Sequence, residues 1–225
     1  MSEKLISIAI DGPAGAGKST IARKAAAELG FIYVDTGALY RTVGLSVLEN
    51  GISPADNVAV IEHLNKISVD IAYKNNKQIV LLNGNDVSEK IRTPMVSEAA
   101  SVTSAIPKVR EFLLELQRKL AREHSVVMDG RDIATVVLPN ADVKIFLTAS
   151  AEERATRRYK ELVEKGEQVI YEEVLRDIIA RDERDSNRAV APLKCADDAT
   201  LVDSTGKSIE EVIAEMQEIV NLKTK

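Results

Sequence analysis

Gly12-Pro-Ala-Gly15-Ala-Gly17-Lys18-Ser19 follows an apolar run at residues 5–10 and opens a stretch of helical period at residues 18–29. The spacing G-x-x-x-x-G-K-[ST] between a strand and a helix is the signature of a loop that wraps phosphate, and it demands a strand to feed the loop and a helix N-terminus behind it. Glycine lets backbone N–H groups turn inward without a Cβ in the way. On this pattern Gly12, Pro13, Ala14, Gly15, Ala16, Gly17, Lys18, Ser19 and Thr20 form a nucleotide-phosphate site. Lys18 reaches the β and γ oxygens, Ser19 offers a hydroxyl to Mg²⁺, and Thr20 supports the α-phosphate. Lys18 is expected to stand exposed in its loop.

The rest of the chain alternates in the same sense. Apolar runs at 5–10, 32–34, 125–128, 143–147 and 201–202 read as buried strands, and helical patterns cover 18–29, 37–49, 107–122, 151–164, 171–187 and 208–221. Alternation of this kind predicts an α/β fold, a parallel sheet flanked by helices on both faces. The last helix opens on Ser208-Ile-Glu-Glu211, a capping-box spacing,. Residues 50–104 break the rhythm: runs at 67–73 and 78–82 flank Lys74-Asn75-Asn76-Lys77, and Asn83-Gly84-Asn85 follows. These are turn signals, so a small β-containing insertion is expected, a usual carrier of specificity. A single domain over 1–225 accommodates all of it.

The 225 residues carry a formal net charge of −5, which argues against a broad basic face for nucleic acid or anionic membrane,. Arginine nonetheless crowds between Arg154 and Arg188, and its planar fork suits phosphate oxygens; a solvated helical face is the plainer account of such a cluster. The lone Cys195 excludes an internal disulfide framework and suits a reducing compartment, so the cytoplasm is the expected address,. The N-terminal apolar run is too short for a secretory segment and reads as a strand.

Val126-Val-Met-Asp129-Gly-Arg131-Asp132 is an apolar strand ending in carboxylates, which puts Asp129 and Asp132 at the edge where open α/β sheets bind ligands,. Asp129 stands where a carboxylate can hold Mg²⁺ with Ser19, although either aspartate alone equally suits a cap on the following segment. A phosphate loop serves switches, motors and kinases alike. No Asn-Lys-x-Asp base-reading tetrapeptide of a guanine switch occurs. A motor or regulatory ATPase, the alternative class, has little room for its additional elements in this length.

Asp11-Gly-Pro-Ala-Gly-Ala-Gly-Lys-Ser-Thr20, Asp35-Thr-Gly-Ala-Leu-Tyr-Arg41, Asp129-Gly-Arg-Asp132 and Arg181-Asp-Glu-Arg-Asp-Ser-Asn-Arg188 together resemble the bacterial cytidylate kinases, and Lys144-Ile-Phe-Leu147 and Ala191-Pro-Leu193 extend the resemblance. It implies a P-loop NTPase-type sheet with an acceptor-binding insertion at 37–105 and a helical lid at 151–168. It implies a monomer that moves the γ-phosphate of ATP to CMP or dCMP with Mg²⁺, and small nucleotides as its partners. Thr36, Arg41, Arg131 and Arg188 would face the acceptor phosphate; the family often has serine where Thr36 stands. Ser101, Arg110 and Asp132 would read cytosine, whose exocyclic amine donates while N3 and O2 accept. Arg181 and Asp185 would hold the sugar, although their i,i+4 spacing also suits a plain ion pair. Lys18, Arg131, Arg157, Arg158 and Arg188 are the implied catalytic set, with Ser19 and Asp129 on the metal. Arg154, Arg157 and Arg158 share a helical face on which like charges repel unless an anion sits between them. His63, His124 and Cys195 form no metal or nucleophile constellation and are read as structural.

Overall fold

A computed structural model describes residues 4–74 and 77–223, so Asn75 and Asn76 of the expected first turn lie outside the described residues. In chain order the elements are β1 Ser7–Asp11, α1 Lys18–Leu29, β2 Ile32–Asp35, α2 Thr36–Glu49, α3 Asn57–Leu64, β3 Val69–Lys74, β4 Lys77–Leu82, β5 Asn85–Asp86, α4 Pro94–Thr103, α5 Pro107–Glu123, β6 Val126–Gly130, β7 Val143–Thr148, α6 Ala151–Glu164, α7 Tyr171–Asn187, β8 Thr200–Asp203 and α8 Ile209–Lys223. A 3₁₀ turn, Lys90–Arg92, precedes α4, and a π-helical turn, Ile133–Val137, follows β6.

The main sheet runs β2-β6-β1-β7-β8 with every pair parallel. Strands covered on both faces must be apolar throughout, as Ile8, Ala9, Ile10, Val126, Val127 and Met128 are; each is fully buried,. On one face α1 and α8 pack Ile21, Ala22, Val212 and Met216 against Ile8, Ile145 and Leu147. On the other, Leu120 of α5 and the π-turn residues Ile133 and Val137 cover Val34 and Met128. Local chemistry ends the helices where the chain turns: Gly30, at φ 70°, returns its N–H to α1, and the Ser208–Glu211 capping box forms with both of its bonds,. Among the described residues no helix is long and apolar enough to cross a membrane.

The segment after β2 is richer than the β insertion expected. The hairpin is present as the antiparallel set β3-β4-β5, and Asn83 and Gly84, both at positive φ, make its second turn,. Two helices, α3 and α4, accompany it. Thr93 caps α4 by accepting from Val96 N, and Pro94 takes the first helical position, where its missing N–H costs nothing,. This part has its own core of Leu39, Val43, Val60, Leu64, Val80 and Val96, shared with Val109 and Leu113 of α5. His63, set aside above as structural, is buried there in a 2.8 Å hydrogen bond with Ser46 Oγ.

α4 lies close on α2 because Gly44 has no side chain: a Cβ there would stand 2.8 Å from Ala100 N. The hairpin docks onto the end of β2 through one amide, since Gln78 Oε1 accepts from Asp35 N at 2.8 Å and its Nε2 donates to Asp35 O at 3.3 Å. Tyr73 adds a bond from its hydroxyl to Tyr33 O at 3.1 Å.

Candidate active site

The loops at the C-terminal ends of β1, β2 and β6, with α4, α5, α6 and α7, enclose a cleft of about 810 Å³. Gly12 turns the chain out of β1 at φ 148°, where a Cβ would collide with the Leu147 carbonyl oxygen. Gly17 starts α1 in the left-handed region and supplies no side-chain cap, so the first N–H groups of α1 are left to the loop interior,. This is the anion-binding arrangement that the glycine spacing calls for.

Lys18 departs from expectation. It is buried, only 5% exposed, and its Nζ donates to Pro13 O at 2.7 Å. Burial, with Arg131 nearby, lowers its pKa to about 7 against the opposing pull of Asp129 and Asp11,. Its side chain is folded back on its own loop. Ser19 Oγ and Tyr33 OH each donate at 2.9 Å to the two oxygens of the buried Asp129 carboxylate. Burial, with Asp35 adding to it, raises the Asp129 pKa to about 6. A hydroxyl beside a carboxylate is the hard oxygen pair that suits Mg²⁺. Among the described residues no group of three or more His, Cys, Asp or Glu gathers to hold a metal, so a cation here would take its other ligands from phosphates and water,.

The half of the cleft opposite the phosphate loop is crowded with charge. Arg110 and Asp132 are nearly fully buried and ion-paired, with Arg188 Nη2 3.7 Å from the other Asp132 oxygen. Arg131 Nε donates to Asp185 Oδ2 at 2.9 Å, and Arg188 stands 3.9 Å from Asp185 Oδ1. Asp185 therefore pairs across to Arg131 rather than within α7; although burial pushes its pKa up, Arg131, Arg181 and Arg188 hold it below the usual carboxylate range. Arg181 is half-buried, and desolvation with Arg131 beside it pulls its pKa down to about 10 against Asp185 and Glu98. Arg41 donates to Asp35 Oδ2 at 2.9 Å. Thr36 Oγ1 donates to Asp129 O at 2.7 Å. Three buried atoms of this half have no hydrogen-bond partner: Ser101 Oγ, Arg181 Nε and Arg188 Nη2.

The arginines of α6 do not share an anion. Arg154 is consumed by Ala149 O, Ala14 O and both oxygens of Asp182, which ties α6 and α7 to the phosphate loop. Arg157 lines the cleft and donates to Glu153, Ser204 Oγ and Ser204 O. Arg158 turns away to an exposed pair with Glu161, and the residues lining the cleft include its neighbour Arg157 but not Arg158. α6 and α7 close over a separate small core of Ala155, Leu162, Val174 and Ile178. Repulsion along the shared face is relieved by a separate acidic partner for each arginine.

All the other residues expected at the site line this one cleft, apart from Gly12 and Pro13 at the root of the loop. Sequence reasoning missed Tyr33, Asp35, Gln78 and Tyr40. Tyr40 lies under the Arg110 guanidinium, 5.2 Å from its carbon to the ring centroid. Asp35 and Tyr40 sat inside a motif that was read; Tyr33 and Gln78 act through contacts 96 and 43 residues apart, and no local pattern announces those.

Comparison with known proteins agrees with this geometry. The family profile described as Cytidylate kinase matches residues 8–222. A cytidylate kinase of Carboxydothermus hydrogenoformans is 55% identical over 96% of this chain and 97% of its own, and one of Caldicellulosiruptor bescii is 54% identical over 96% of each. A solved structure of an uncharacterized protein from Eubacterium ventriosum shares the fold, with TM-score 0.53 and 12% identity over 96% of this chain and 98% of that one. A phosphate loop feeding a parallel sheet, an arginine-lined acceptor pocket opposite it, and near-complete identity of extent with these relatives lead to one assignment: the chain is a kinase and belongs to the cytidylate kinase family.

Proposed function

We propose that this kinase transfers the γ-phosphate of ATP to CMP and dCMP, giving ADP and CDP or dCDP, by direct in-line displacement. The observation that carries the acceptor half is that one cleft is lined by Ser101 and Arg181, whose buried Oγ and Nε have no hydrogen-bond partner, and by Arg188, whose buried Nη2 has no hydrogen bond and only the 3.7 Å ion pair with Asp132. A buried polar atom without a partner costs about 1–3 kcal/mol, a cost relieved when a ligand supplies what is missing.

Arg41, Arg131 and Arg188 bind the acceptor phosphate and neutralise it, so that its oxygen can approach an already anionic triphosphate, and the Thr36 hydroxyl turns from Asp129 O to donate to it. The loop from Gly12 to Thr20 holds the donor, with Lys18 leaving Pro13 O for the β and γ oxygens. The Ser19 hydroxyl and the Asp129 carboxylate would hold Mg²⁺, which would supply positive charge to offset that on the phosphate oxygens. Arg110 leaves Asp132 to donate toward N3 and O2 of the base, while Asp132 accepts from the exocyclic amine and Ser101 completes the edge. Arg181 and Asp185 hold the sugar. α6 and α7 act as a lid whose Arg157 and Arg158 meet the phosphoryl group on closure and exclude water; their separate apolar core supports movement as a unit. A monomer working in the cytoplasm on small nucleotides belongs to the same reading, supported by the net charge of −5 and the lone cysteine,.

ADP release measured with each monophosphate in turn tests the reading: CMP and dCMP should be turned over far faster than UMP, AMP or GMP, and faster use of AMP would overturn the choice of acceptor. Asp132→Asn should narrow the preference for CMP over UMP by about 1–3 kcal/mol, because an amide can turn its NH₂ toward the uracil carbonyl.

A further inference from the structure

Asp11 ends β1 one residue before the phosphate loop and is 1% exposed. Burial pushes its pKa up to about 6, so a carboxylate at this place is costly and calls for a compensating role,. Both of its oxygens reach across to the neighbouring strand's loop: Oδ1 accepts from Ile133 N at 2.8 Å and Oδ2 from Ala134 N at 2.7 Å. These are the first N–H groups of the π-helical turn, and the residue at its N-cap is Asp132.

An aspartate at an N-cap ordinarily folds its carboxylate back onto the N–H groups that follow. Asp132 makes no such bond. Its carboxylate points instead to Arg110 and Arg188 in the acceptor cleft. The Ala134 N–H, one of the two that an N-cap carboxylate ordinarily takes, is already bonded to Asp11, as is that of Ile133, and Asp11 pairs in register with Gly130 across β1 and β6,. The far end of the turn is held independently, since Arg118 of α5 donates to Val136 O at 2.9 Å and Val137 O at 3.1 Å. With Asp11 removed, two buried donors lose their acceptors, and the carboxylate adjacent in the chain is that of Asp132.

We infer that Asp11 is a positioning residue for acceptor recognition: it caps the turn after Asp132 from the neighbouring strand and thereby frees the Asp132 carboxylate to face the base. The inference rests on the reading of Asp132 as the cytosine reader. It makes the residue that opens the ATP-binding loop responsible for part of the selectivity at the other substrate.

The test compares kcat/KM for CMP and UMP in the full-length Asp11→Asn and Asp11→Ala enzymes, alone and combined with Asp132→Asn, with thermal melting and ATP KM alongside. Asp11→Asn is nearly isosteric and keeps one acceptor, so it carries the test if Asp11→Ala does not fold. The CMP-over-UMP ratio should fall about tenfold, mostly through a raised CMP KM, with ATP KM moving less than about threefold. In the Asp132→Asn background the same Asp11 change should leave the ratio where it was. A folded Asp11→Asn enzyme with an unchanged ratio, or effects that simply add in the double variant, would overturn the inference while leaving Asp132 its role. An Asp132→Asn enzyme with wild-type selectivity would instead remove the base-reading role itself, and the inference with it.

Discussion

Arg184 of α7 donates through Nη1 and Nη2 to the two carboxylate oxygens of Glu98 on α4, the second bond at 3.1 Å, across 86 residues of chain. The pair joins the helix that carries Ser101 to the helix that carries Arg181 and Asp185, and Arg184 holds the Glu98 carboxyl below its usual range. Both side chains are about half exposed, so the pair contributes only about 0.2–1 kcal/mol,. If the pair sets the separation of α4 from α7, its loss should show at the cleft between them. Glu98→Ala should raise CMP KM about two- to fivefold with ATP KM unchanged. The exchanged pair Glu98→Arg with Arg184→Glu should recover most of the loss. Steady-state kinetics on the three enzymes checks this, and no recovery in the exchanged pair would show that the two residues act separately.

On the proposed function, Lys18 should set the pH behaviour of ATP binding. With a pKa lowered to about 7, the amine is mostly neutral at pH 8 in the free enzyme, while triphosphate oxygens favour the ammonium,. ATP binding at pH 8 should therefore take up about one proton, and affinity should fall as pH rises above 7, by at most about tenfold per unit. Asp11 and Asp129, each near pH 6, are already ionised there and contribute little. Calorimetry in two buffers of different ionisation heat measures the uptake. Lys18→Ala should abolish it and lower kcat/KM on the order of 10²–10³.

Gly44→Ala tests the seat of the acceptor helix. The added methyl would meet Ala100 N at 2.8 Å and Ala99 C at 3.2 Å, and backbone atoms cannot swing aside. Overpacking of this kind costs about 1–3 kcal/mol, so the Tm should drop. α4 should shift with Ser101 on it, and CMP KM should rise while ATP KM holds. A stable variant with normal CMP KM would mean that α4 slides without consequence for the site.

Arg157 and Arg158 are expected to separate in kinetics. Arg157 already lines the cleft, whereas Arg158 must leave Glu161 to reach it. Arg157→Ala should lower kcat about tenfold or more, and Arg158→Ala by a smaller factor, because closure must first separate Arg158 from Glu161. The reverse order in single-turnover measurements would make Arg158, rather than Arg157, the main contact of the closed lid with the phosphoryl group.

The glycine spacing, the alternation of apolar runs with helical period, and the capping box are local patterns, because strand pairing, helix periodicity and caps depend on residues within a few positions of one another. They determine the α/β class, the phosphate loop, the hairpin and most helix bounds in this chain. α3 and α4 escaped because α3 has only eight residues and α4 presents small side chains, Ala99, Ala100 and Thr103, whose weak periodicity became meaningful only against Gly44. The burial of Lys18 and the release of Asp132 by Asp11 likewise belong to the tertiary structure. So do the attachment of Arg154 to Asp182 and of Arg157 to Ser204, the docking of the insertion by Gln78, and the choice by Asp185 of Arg131 over its own helix. Each depends on which distant acceptor is nearest once the sheet has closed and water is gone, and in a dry site proximity rather than residue type decides which charges pair.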